Sequence, residues 1–138
     1  MKKVIVFILV LSLCSVLCAC GGSKYTGTYI RKSGGSGIDD AAAIETTLVL
    51  SANGTGSMVK KVKTANANDV LRYGYKAGYV FSEYELTWEE NDGYLFIEAS
   101  GKTYSYQGES KHKFTESYEL KGKVLYTLEG ESTDFVKE

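Results

Sequence analysis

Short stretches of alternating apolar and polar residues, each closed by a glycine-containing turn, restrict what this chain can fold into more than any other feature. In Glu83-Tyr84-Glu85-Leu86-Thr87-Trp88-Glu89, Tyr84, Leu86 and Trp88 share one face while Glu83, Glu85, Thr87 and Glu89 share the other. Such a period predicts a strand with one buried side. Residues 25–31, 45–50, 55–63, 70–76, 79–89, 94–100, 103–107, 113–120, 124–129 and 133–136 predict strands, the one over 113–120 carrying Phe114, Tyr118 and Leu120 on one side. Asn53-Gly54, Asn91-Asp92-Gly93, Gly101-Lys102 and Lys121-Gly122-Lys123 predict turns, and 108–112 a polar loop. Residues 38–44 are the one place for a short helix, with Asp39 or Asp40 as its N-cap.

Eight to ten short antiparallel strands leave two architectures, a sandwich or a closed up-and-down β-barrel. The barrel is preferred because closure removes the edges on which other chains could pair. The absence of proline agrees, since proline is a common edge blocker.

The start of the chain has a different character. Met1-Lys2-Lys3 precedes an apolar run over 4–13, the pattern of an export signal. Extended to Ala19, the apolar stretch still falls short of the roughly 20 residues of a spanning helix. A buried core helix would not be apolar all round beside Gly21-Gly22-Ser23.

Leu17, Ala19, Cys20 and Gly21, in that order behind such a leader, resemble the lipobox of bacterial lipoproteins. Cys14 and Cys18 each follow a leucine, where the lipobox has a small residue, so Cys20 is the acceptor. The resemblance implies diacylglycerol on the Cys20 sulfur, cleavage before Cys20, and usually acylation of the new amino group. Two acyl chains suffice for stable anchoring where one is marginal. The expected division is a signal peptide, helical before removal, over 1–19, a lipidated cysteine and tether over 20–24, and a β-barrel domain over 25–138. The expected location is a cell membrane, with the domain lipid-anchored on the extracytoplasmic side.

Of the three cysteines, two leave with the signal and the third is acylated, so neither a disulfide nor a catalytic thiol is expected. What remains is long enough for one core. Sixteen basic residues against 17 acidic ones argue against a nucleic-acid partner, which would need a clustered basic face. Lys60-Lys61-Val62-Lys63, the most basic run, is expected as a solvated strand face.

Gly27-Thr28-Tyr29, the stretch from Leu48 through Asn53-Gly54 to Gly56, and Leu86-Thr87-Trp88-Glu89 before an Asp-Gly turn together resemble small bacterial lipocalin-like lipoproteins. The resemblance implies a barrel in which Tyr29 stands where lipocalins carry tryptophan, and makes Lys137 the late basic residue to pack on that ring.

Eleven tyrosines stand out, because an amphipathic ring can line a pocket and is also a good strand residue. Trp88, Tyr84, Tyr104, Tyr106 and Tyr118 are the candidate ligand-binding residues. Catalysis is not expected. His112 is the only histidine, in a solvated loop with no partner for a metal site, and Glu83, Glu85 and Glu98 are the only carboxylates worth testing. No metal or cofactor is expected. The expected function is an envelope lipoprotein, monomeric, whose barrel binds an apolar or amphipathic small molecule. The alternative is an interaction or inhibitor module with a solid core, directed at another envelope protein. Cys20→Ser should yield an uncleaved or soluble form in cell fractionation, and wild-type membrane retention of the variant would refute the anchor.

Overall fold

A computed structural model describes residues 23–33, 43–64, 76–105, 107–128 and 134–138. Eight strands, β1 (Gly27–Ser33), β2 (Ala43–Leu50), β3 (Thr55–Thr64), β4 (Val80–Asn91), β5 (Tyr94–Ser105), β6 (Gly108–Lys121), β7 (Val124–Thr127) and β8 (Phe135–Lys137), form a closed antiparallel barrel in sequence order. The expected export signal, Cys20, Tyr106, most of the 38–44 helix and nearly all of the 70–76 strand lie outside the described residues. Ala43 and Ile44, expected to end that helix, begin β2.

Two further expectations change. Gly101-Lys102 does not turn the chain: β5 runs straight through it, with Gly101 opposite Tyr84 on β4 and His112 on β6. A Cβ on Gly101 would strike the Glu83 carbonyl and stand 2.7 Å from the Tyr84 Cα, so the glycine is there for close backbone approach. Residues 108–112 are likewise strand, since β6 begins at Gly108 and His112 stands within it. Exposure on both faces removed the alternation that marks a strand. The ladder to β5 holds it instead, helped by a Lys102–Glu109 ion pair at 2.8 Å and another between Lys113 and Glu98.

The antiparallel order puts the short turns at 51–54, 92–93 and 122–123 at one end, with residues 23–26 and Glu138. Apolar side chains pack that end solid, among them Tyr25, Tyr29, Leu48, Leu50, Leu95, Tyr118, Leu125 and Phe135, all essentially inaccessible. Each contributes roughly 1.5–3 kcal/mol from burial. Their polar tips are used as well. The Tyr25 hydroxyl donates to the Gly93 carbonyl at 2.6 Å, and the Tyr29 hydroxyl to the Tyr25 carbonyl at 2.7 Å.

The contact implied by the lipocalin resemblance is present. The Lys137 ammonium lies 5.6 Å from the centre of the Tyr29 ring and donates to the Lys24 carbonyl at 3.2 Å. A Cβ on Gly27 would stand 2.6 Å from the Lys137 Cε, so glycine at that position makes room for the lysine stem.

Gly101→Ala should cost about 1–3 kcal/mol in urea denaturation, because neighbouring backbone cannot yield easily. Ser100→Ala, on the exposed face next to it, should stay within about 0.5 kcal/mol.

Candidate functional site

The inner wall changes chemistry at a single level. Cross-strand pairs link Tyr29, Leu48, Met58, Tyr84 and Gly101 around five strands. Two residues further from the turn end, the corresponding row is Arg31, Thr46, Lys60, Ser82 and Thr103. An apolar ring thus gives way to a polar one on five neighbouring strands at once.

Between these levels lies a cavity of about 280 Å³, lined by the whole polar row, by Met58 and Tyr84 of the apolar one, and by Phe81, Tyr104, Phe114 and Glu116. Met58 and Tyr84 make its floor, with the Tyr84 and Phe114 rings edge to face at 4.9 Å. Thr46 is 2% and Ser82 7% exposed, so their hydroxyls are enclosed at the cavity wall. Arg31 reaches inward, its guanidinium carbon 4.3 Å from the centre of the buried Phe135 ring.

Regular alternation from Met58 puts Lys60 in this set, and a bulge follows directly after it. On β4 the register shifts so that Lys60 faces Ser82 while Lys61 faces Val80, leaving Phe81 as the extra residue. The Lys60 ammonium stands 5.9 Å from the Phe81 ring centre. The basic run 60–63 is therefore not one solvated face: Lys60 lines the cavity and Val62 is buried.

The five expected ligand residues divide. Tyr84 and Tyr104 line the cavity, Tyr104 at its rim, where its hydroxyl donates to Glu83 at 2.9 Å. Tyr118 is buried in the core, its hydroxyl donating to the Glu116 carboxylate. Trp88 is at the turn end, its indole N–H shared between the Ser51 and Thr55 carbonyls at 3.0 and 3.1 Å. It borders a separate groove of about 380 Å³ with Phe96 and Glu98. Tyr106 lies outside the described residues. Arg31, Thr46, Ser82, Thr103 and Glu116 had not been singled out, because each is an ordinary polar strand residue until register lines it up with the others.

Hydroxyl chemistry in the core below the floor follows burial. Desolvation, then the Glu116 charge and hydrogen bond, push the Tyr118 phenol far above its ordinary range. Burial, with a smaller contribution from Tyr25, pushes Tyr29 up to about 12. Among the described residues no group of three or more His, Cys, Asp or Glu side chains converges.

Compared with protein-family models, with curated proteins and with solved structures, the chain matches none.

Because Tyr29 and Tyr118 keep their protons in the folded state above the ordinary tyrosine value of 10.0, the unfolded state gains relative to the native one as pH rises. Stability should be constant with respect to these groups below pH 10 and fall from there through about 12, the upper value being that of Tyr29. Tyr29→Phe should flatten the Tyr29 share of that decline in denaturation at graded alkaline pH; an unchanged slope would contradict the assignment.

Proposed function

We propose that this chain is a lipid-anchored bacterial envelope protein whose barrel binds a small amphipathic molecule at the end away from the short turns. One observation carries the binding half: the 280 Å³ cavity has an apolar, aromatic floor and a polar ring around it. Pockets that hold small molecules commonly combine an apolar lining with a few convergent polar groups. Solid packing at the turn end leaves the lumen for a ligand only above the level of Met58 and Tyr84. The anchoring half rests on the lipobox resemblance around Cys20.

A second reading, an interaction module, draws on the outer wall. Tyr94, Phe96, Tyr126, Leu128 and Val136 are 38–49% exposed there. Tyr94 and Tyr126 flank Glu119 across β5, β6 and β7, and the Leu128 N–H bonds to Ser117, the partner of Phe96. Large apolar side chains exposed on neighbouring strands, here with Glu119 and Ser117 between them, mark contact sites in many proteins.

Amide NMR separates the two readings. Fragments of about ten heavy atoms, neutral and charged, should shift the Thr46, Met58 and Ser82 resonances and leave those of Phe96 and Tyr126 unmoved. If every fragment at millimolar concentration leaves the cavity resonances in place, the binding reading is wrong.

A further inference from the structure

We propose that the group recognised in the cavity is the carboxylate of a small aromatic acid, held by the Arg31 guanidinium with Lys60 beside it. The inference rests on the binding reading above and specifies its ligand class.

The charge balance of the cavity comes first. Among the described residues, neither Arg31 nor Lys60 takes part in an ion pair. Both are half-buried and both line the cavity. Glu116 shares the space, but its carboxylate accepts the Tyr118 hydroxyl. A cation taken out of water without a counter-charge is costly, and an anion entering from solution removes that cost. Two cations against one carboxylate leave room for a single negative charge.

Geometry narrows the anion. The planar fork of an arginine matches the two oxygens of a carboxylate. The hydroxyls of Thr46 and Ser82 stand in the same inner row as the two cations and can donate to those oxygens. A doubly charged phosphate would set its second charge against Glu116 in the same cavity.

Size narrows the rest of the ligand. A cavity of about 280 Å³ lies just below the usual range of small-molecule pockets, about 300–1,000 Å³, and so suits a small guest. A ring with a short acid arm is such a guest. A long acyl chain cannot continue toward the turn end, because the buried Leu48 and Tyr29 side chains fill the level below. The perpendicular Tyr84 and Phe114 rings, with an interplanar angle of 85°, offer a face and an edge to a flat guest.

The test is calorimetric titration of the full chain with phenylacetate, phenylacetamide, benzylamine and palmitate, the first two differing only in charge. Phenylacetate should bind at least about tenfold more tightly than its amide, the loss expected for a charge-assisted hydrogen bond. Arg31→Met should lower phenylacetate affinity by at least about tenfold, Arg31→Lys by less, and Lys60→Met should weaken the acid while leaving the amide unchanged. Benzylamine and palmitate should not bind the cavity. Near-ultraviolet circular dichroism checks the fold of each variant, and if Arg31→Met fails to fold, the acid-to-amide comparison and Lys60→Met still decide. Equal affinity for acid and amide, undiminished by either methionine variant, would overturn the carboxylate and leave the binding reading standing. No binding by any probe, together with unmoved cavity resonances in the NMR screen, would overturn both.

Discussion

The ladder between β1 and β8 is two residue pairs long, Tyr29 with Lys137 and Ile30 with Val136, and it turns a sheet into a barrel. Without it the inner row from Arg31 to Thr103 would be one wall of an open sheet, and there would be no lumen to divide. So short a seam is weak as a ladder. Side chains reinforce it: Lys137 lies along the Tyr29 ring, Gly27 leaves space for the lysine stem, and the Glu138 N–H donates to the Thr28 carbonyl at 3.0 Å. Tyr25 then ties the same end to the β4–β5 turn through Gly93.

Closure makes the two halves of the lumen unequal. At the turn end, large rings and leucines fill the space, and their hydroxyls find backbone carbonyls or, for Tyr118, a carboxylate. Farther along, the inner row changes to shorter or charged side chains, which cannot pack against each other without stranding polar atoms. A cavity results where the floor is apolar and the walls can hydrogen-bond. Solid stability and an open site therefore occupy successive levels of one tube.

Much of the fold was legible because strand and turn chemistry are local. Asn53-Gly54, Asp92-Gly93 and Gly122 mark real turns, each glycine with positive φ, and the alternation through Tyr84, Leu86 and Trp88 follows the inner face of β4. Gly101 misled because a glycine needed for close approach looks, in sequence, like a glycine needed for a turn. His112 misled because the outer reach of β6 is polar on both sides. The site was legible only in part. Tyr84 and Tyr104 reached the cavity, but Trp88, the most conspicuous residue, is used at the turn end to bond the Ser51 and Thr55 carbonyls that flank the β2–β3 turn.

By itself the sequence determined an all-β domain of short antiparallel strands, since period, turn residues and β-branched or aromatic content are properties of neighbouring residues. The level at which the lumen turns polar was decided only by tertiary structure. Arg31, Thr46, Lys60, Ser82 and Thr103 are far apart in the chain, and cross-strand register alone sets them side by side. A shift of one residue in any of those pairings would send a member of the row to the outer wall, because successive side chains on a strand point to opposite faces.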